Sequence, residues 1–544
     1  MPKEINNTLS YFFPFRYDSG ITKHTIHYSK EALMKKRIAS LLLASLMAVT
    51  MLPTAAFAEE LEAEGDSEEI VELNMVNLGF FGENGKEEVI DAINEIAERE
   101  IGVHINFTTL DIQSYMTQVP LMITDANNPI DLVLVTSIPT TSFATFTAQK
   151  QLQDISPYLE EYAPETLELM GDYLPATTIG DAVYAIPCYR IYNSSYYLVM
   201  RKDVLNELGL MEQAEAISSW SDAKALLQAV HDAQDTLPED MRTTAMICNN
   251  DAQGNVLLGM YIDTASDDFA GNYGFDTLGD SNRIIKVNEE GKVENFFATD
   301  DYRTIMERVK DWYDSDLVYK DSATNQDGAD QSMAHGVTFA YCCQSEFGVE
   351  QAKRNETGYE VLCIPYVDVP IQTGNGNSWA WGVPVTSEEP EAAVAFMNLM
   401  FTNKEIENLF VYGIEGRDYE LNEDGEACLL PDTKEYQSAD FFWGNQFIAY
   451  PAEGSGANFR EEALKQMQEA EISPYYGCVV NTDPIANTIT ALKNVLLKYQ
   501  NTLESGSSDL SSLDQMLTEL DSAGLQEYLD YYQEQLDNWL AEQQ

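Results

Sequence analysis

Positive charge is scarce in this chain. Its 544 residues hold 31 Lys and Arg against 90 Asp and Glu, a formal net charge of −59. Such a surface repels phosphate backbones and anionic lipid, so nucleic acid is not an expected partner. Histidine is scarcer still, five in all. Only His104, His231 and His335 lie beyond residue 58, and they are far apart. That weakens zinc and Ser-His-Asp readings. The seven cysteines are Cys188, Cys248, Cys342, Cys343, Cys363, Cys428 and Cys478. Their number is odd and none form a C-x-x-C pair, so free thiols are expected rather than a zinc or redox motif. No phosphate-binding G-x-x-x-x-G-K-[ST] loop and no G-x-S-x-G elbow occurs. The run NQDGAD at 325–330 lacks the closing Glu of a calcium loop. No cofactor is expected.

What the chain does have is apolar mass. Hydrophobic residues make up 44% and aromatics 11%, enough to build cores and to argue against disorder. Residues 34–37 (MKKR) form a positive n-region, and 38–52 are an apolar run too short for a lasting membrane span. PTAAFA at 53–58 then offers an A-x-A cleavage site, with Glu59 as the expected new N-terminus. Residues 1–58 carry seven Lys/Arg and three Asp/Glu, so their removal moves the charge from −59 to −63. About 486 residues remain, too many for one core and suited to two lobes.

The remainder alternates strand and helix. VELNMVNL (71–78) reads as a first strand, followed by the loop GFFGENG (79–85). Residues 86–100 place Val89, Ile93 and Ile96 on one helical stripe. A second strand at 103–108, a helix at 113–124 and a continuous apolar strand at 130–136 complete a β-α-β-α-β opening. The third strand has the pattern of a parallel sheet covered on both faces. Further on, Ser219 or Ser221 can cap a helix opening at Trp220, and Asn403 can cap one that closes at Gly413. In the tail, Tyr528, Tyr532, Leu536 and Trp539 share a helical stripe, expected to pack on the second lobe.

The segment 374–420 (GNGNSWAWGVPVTSEEPEAAVAFMNLMFTNKEIENLFVYGIEGRDYE) has a distinctive order. A Gly/Asn turn leads to an aromatic strand, then TS-x-x-P, a helix, TNKE, a second helix and YGIEG. With PIDLVLV at 129–135 and GDAVYAIP at 180–187, it resembles bacterial extracellular solute-binding proteins of ABC importers. The resemblance is to the sugar-binding, lipoprotein-type branch with a long C-terminal extension. It implies an α/β, two-lobed periplasmic-binding-protein-like clamshell of type II, with three interlobe crossings. These are expected at 188–196, 336–345 and 378–382. Lobe one would then be 70–188 plus 338–377, and lobe two 197–335 plus 380–544. The resemblance also implies capture of a small-molecule ligand, a sugar or oligosaccharide, for hand-over to membrane permease subunits. A monomer is expected. The family's lipid-bearing Cys is absent near Ala58, so a secreted or surface-held protein without lipid is expected.

Sugars are held by aromatic faces and by planar polar groups that pair with hydroxyls. The segments expected to line the cleft carry both. The expected ligand contacts are Phe81, Glu83, Asn84, Tyr189, Arg190, Tyr192, Tyr341, Gln344, Glu346, Trp379, Trp381 and Trp443. Trp379 and Trp381 are two apart on a strand, so both face the cleft or both face the core; the cleft is the expectation. No catalytic residue is expected. A glycoside hydrolase, which needs two carboxyls about 5–10 Å apart, and a surface adhesin stay open as alternatives, as does a peptide ligand.

Processing can be checked directly. The exported form should begin at or near Glu59 with no acyl mass increment, by intact mass and N-terminal sequencing. A start well downstream, or an added acyl chain, would contradict this.

Overall fold

The computed structural model describes residues 70–79, 85–248, 266–273, 275–288, 290–430, 436 and 438–543. The expected leader and Phe81, Glu83 and Asn84 lie outside the described residues. The chain opens with β1 (Val71–Leu78), α1 (Lys86–Ile101), β2 (Val103–Leu110), α2 (Ile112–Met122) and β3 (Leu132–Val135). α1 buries Val89, Ile93, Ile96 and Ala97 along one stripe. All four residues of β3 are buried, as a strand covered on both faces requires. The Asp111 side chain accepts from Gln113 N and Ser114 N and so starts α2.

After β4 (Ala185–Pro187) the chain enters a second sheet through β5 (Ser194–Arg201). There it adds α3 (Trp220–Asp232), β6 (Ala245–Cys248), α4 (Asp300–Asp314), β7 (Thr338–Ser345), α5 (Val349–Thr357) and β8 (Val361–Val369). Ser219 caps α3 by accepting from Asp222 N. The chain then returns as β9 (Ala380–Gly382), α6 (Pro390–Thr402), α7 (Lys404–Tyr412) and α8 (Phe459–Glu469). Asn403 caps α7, accepting from Glu405 N and Ile406 N, and Gly413 ends it at φ 80°. The tail is α9 (Ala486–Glu504), α10 (Ser511–Ser522) and α11 (Leu525–Glu542). Among the described residues no helix is long and apolar enough to cross a membrane.

Two sheets organise these elements. The first has strand order β2-β1-β3-β9-β4. β1 is parallel to β2 and β3, while β9 runs antiparallel between β3 and β4. The second has order β8-β5-β7-β6. There β5 is antiparallel to β7 and β8, and β7 is parallel to β6. Each sheet has its own core. The first gathers Leu73, Val133, Trp381, Met397 and Phe410. The second gathers Leu198, Trp220, Trp312, Leu492, Tyr528 and Leu536. The aromatic stripe of α11 therefore packs on lobe two, as its periodicity implies.

The lobe boundaries need correction. Segment 338–377 was expected beside 70–188, yet β7 pairs with β5 and β6 in the second sheet. Segment 380–412 was expected in lobe two, yet β9 pairs with β3 and β4, and Val394, Met397 and Phe410 join the first core. Among the described residues, those of 70–187 and 380–471 form lobe one, and those of 194–369 and 479–543 form lobe two. The crossings are 188–193, 370–379 and 472–478. The first lies within the expected 188–196, and the expected 378–382 overlaps the end of the second; the expected 336–345 instead holds a strand of the second sheet, and 472–478 was not anticipated. An apolar strand such as VTFAYCC satisfies either sheet, and only its hydrogen-bonding partners decide between them.

Candidate functional site

The three crossings lie side by side and are stitched by main-chain hydrogen bonds. Cys188 N donates to Trp379 O at 2.9 Å, joining the first to the second. Ile371 N donates to Glu471 O, and Ser473 N to Ile371 O, both at 2.8 Å, joining the second to the third. Gly477 N donates to Thr373 Oγ1 at 2.8 Å. The loop 441–447 docks on the first crossing: Tyr189 N donates to Gly444 O and Gln446 N to Tyr189 O, each at 2.9 Å. Ile191 N then donates to Gln446 Oε1 at 3.0 Å.

Arg190 sits inside this bundle, only 5% exposed. One terminal nitrogen donates to Asn375 O at 3.0 Å. The other donates to Ile191 O at 3.0 Å and lies 3.5 Å from the Glu346 carboxylate. Glu346 follows β7 and belongs to lobe two, so this ion pair reaches from a crossing to a lobe. Desolvation pushes the Glu346 carboxyl up to about 7, against the pull of Arg190. Yet 44% of its side chain still meets solvent. Next to it, Phe347 of lobe two meets Phe459 of lobe one at 5.2 Å between centroids. Gly348 is required there twice over. Its φ is +86°, and a Cβ would come within 2.6 Å of the Phe459 ring.

On the lobe-one side, Arg460 binds Asp440 at 2.7 Å. Burial raises the Asp440 carboxyl, but Arg460 and hydrogen bonds from Gln446 and Arg460 outweigh it and hold it below its ordinary value. Phe441 and Phe447 are half-buried beside it. Phe447 meets Tyr189 edge-on at 5.0 Å, and Phe441 meets Trp379 edge-on at 5.2 Å. Beneath the loop, Glu407 of α7 is fully buried. It accepts from Gly444 N at 3.2 Å and Asn445 N at 3.3 Å. Desolvation still wins and pushes its carboxyl up to about 8.

The expected site residues divide. Tyr189, Arg190, Tyr192 and Glu346 come together at the crossings. Tyr189 and Tyr192 are nearly closed off from solvent, and the Tyr192 hydroxyl donates to Cys188 O at 2.6 Å. Gln344 is half-buried at the end of β7 and donates to Ser194 Oγ at 2.7 Å. Tyr341 lies elsewhere, in a separate apolar cluster of lobe two with Val199, Met333 and Val361. The three tryptophans are corrected: they are not open platforms. Trp379, Trp381 and Trp443 are buried in the first core. Trp381 stacks on Trp443 at 6.1 Å and 17°, and its indole N–H donates to Phe442 O at 3.0 Å. Loop 441–447, Trp443 included, covers Trp379 and Trp381, so the rings left half-open are Phe441 and Phe447. Those two, with Phe347, Asp440, Phe459 and Arg460, were missed. The aromatic run FFWGNQF (441–447) was the only signal for any of them.

A small pocket also opens at the crossings, lined by Asp276, Leu278, Gly279 and 372–375, with about 340 Å³ of empty space that includes open solvent. None of the nine expected residues that are described lines it. Among the described residues no group of three or more His, Cys, Asp or Glu could hold a metal ion.

Two α/β lobes, one sheet with an antiparallel strand inserted before its last strand, and three adjacent crossings define a two-lobed solute-binding fold. The model of the family "Bacterial extracellular solute-binding protein" matches residues 84–407, and the chain belongs to that family. A second family model, a domain of unknown function, matches 474–541, which is the third crossing and the helices α9 to α11. The chain is 21% identical over 483 residues to a carbohydrate ABC transporter substrate-binding protein of Streptococcus pneumoniae, covering 86% of this chain and 91% of that one. The crystal structure of an N-glycan transport solute-binding protein from Streptococcus pneumoniae aligns with TM-score 0.70 and 17% identity. It covers 87% of this chain and 100% of that chain. An HMO-binding ABC-transporter-associated solute-binding protein of Bifidobacterium longum infantis aligns with TM-score 0.62 and 16% identity, covering 86% and 99%.

Two outcomes follow from this geometry. Trp381→Ala should cost about 3–5 kcal/mol of stability, as a buried ring with a satisfied N–H does. A melting curve unchanged from the parent would contradict its core placement. Glu407 has a folded pKa above its unfolded one. Its neutral form therefore stabilises the fold fully below about pH 4, and that contribution is lost as pH rises through about 8. Glu407→Gln, a neutral isostere, should gain a few kcal/mol relative to the parent between about pH 5 and 9. Denaturant melts of both proteins across that range check it; a pH-independent difference would contradict it.

Proposed function

We propose that this chain is the extracellular solute-binding subunit of an ABC importer and captures a sugar or oligosaccharide between its lobes. The observation that carries the reading is the match of a solute-binding family across both sheets and the first two crossings, in a chain whose relative over 86% of its length is a carbohydrate importer subunit. The chain acts by binding rather than bond-making. Ligand bridging the two lobes stabilises their closure, and the crossings absorb the motion. The contacts are Glu346 at the crossings, held in place by the buried Arg190 behind it, with Gln344, Phe347, Asp440, Phe441, Phe447 and Phe459 around it. Half-open phenylalanine rings take the apolar sugar faces, and the carboxylates and amide take hydroxyls. Tyr189, Tyr192, Trp379, Trp381 and Trp443 hold that ring of groups from beneath. The protein works outside the membrane after leader removal, as a monomer that delivers to permease subunits.

Calorimetric titration of the full chain against a panel of neutral di- to hexasaccharides tests this. The expected result is at least one saccharide with Kd of about 1 μM or tighter, near −8 kcal/mol, and no hydrolysis after prolonged incubation. Heat from peptides alone, or released monosaccharide, would contradict it.

A further inference from the structure

The charges at the seam are not evenly presented. Two guanidiniums and two carboxylates meet there, paired one to one: Arg190 with Glu346 at 3.5 Å and Arg460 with Asp440 at 2.7 Å. The guanidiniums are shut away, with side chains 6% and 9% exposed, while the carboxylates keep 44% and 28%. Arg190 is further spent on the carbonyls of Ile191 and Asn375, and Arg460 on that of Tyr450. The next cations along α5 are also matched: Lys353 to Glu356 at 2.7 Å and Arg354 to Glu360 at 3.5 Å. A solute entering the seam therefore meets acceptor oxygens, and the cations behind them are already neutralised.

We infer that the seam selects an uncharged, hydroxyl-rich solute and rejects one carrying a carboxylate or sulfate, with Glu346 and Asp440 as the discriminating groups. The inference rests on the carbohydrate reading above and narrows it. Hydroxyls donate to an exposed carboxylate and complete its hydrogen bonding. Among the described residues, the two guanidiniums that flank an anionic group placed there are each already paired with a carboxylate. Such a group must either stand against the ionised Asp440, and against Glu346 in its ionised fraction, or be desolvated unpaired, and both are unfavourable. The surrounding chain, at −59 overall, adds long-range repulsion in the same direction.

The test uses the full chain and matched probes. These are each neutral oligosaccharide that binds in the panel, and its C6-carboxylated uronate counterpart with the same linkages. Titrations run in physiological salt, so that only short-range charge counts. The uronate should bind at least about tenfold more weakly. Glu346→Gln and Asp440→Asn, each verified as folded by its melting curve, should narrow that gap. A uronate that binds as well as its neutral counterpart overturns the inference and leaves the carbohydrate reading intact. A gap that persists unchanged in both variants overturns the assignment to Glu346 and Asp440. If no saccharide of either kind binds, the carbohydrate reading fails and this inference falls with it.

Discussion

The main-chain stitching of the three crossings is the constraint on which everything else depends. Each lobe has its own sheet and core, so nothing in the cores fixes one lobe against the other. That work falls to short segments. They are held by pairs such as Ile371 N to Glu471 O and Ser473 N to Ile371 O, and by Arg190 joining Ile191 and Asn375. A buried guanidinium is costly unless its donors are matched. Arg190 finds partners for both terminal nitrogens here, though not for its Nε, and it carries Glu346 of lobe two to the same point. The geometry of the site is a consequence of how the hinge satisfies its backbone.

A second layer supports the first. Loop 441–447 packs on the first crossing from one side and on α7 from the other. Glu407 receives its Gly444 and Asn445 amides, and the tryptophans fill the space under it. The aromatic richness of the segment around Trp379 thus serves placement. Buried tryptophans fix the loop, and the loop exposes Phe441, Phe447 and Asp440. Rigid support for a few exposed groups is what recognition of a flexible polyhydroxy ligand requires, because ordering the protein as well would cost binding free energy.

Much of the fold was legible because its signals are local. The first strand was bounded at Val71–Leu78 as found, and the caps Ser219 and Asn403 bond as their positions imply. The stripe Tyr528, Tyr532 and Leu536 is buried on lobe two. What was misread is non-local. β7 is apolar on both faces and could join either sheet; its partners β5 and β6 lie at least 140 and just over 90 residues earlier. The spacing of Trp379 and Trp381 fixes that they share a face. Which face is covered depends on residues 441–443, some 60 positions away. Asp440 and Glu407 are two acids among 90, and only the structure separates a buried or seam carboxylate from a solvated one.

The central claim is that two independently packed lobes turn on the crossing bundle and close on a bound solute. Small-angle X-ray scattering of the full chain, with and without a saturating oligosaccharide identified by titration, addresses it most directly. The account predicts a smaller radius of gyration in the saturated sample, with the change following the binding isotherm. Saturation confirmed by calorimetry with an unchanged scattering profile would contradict it.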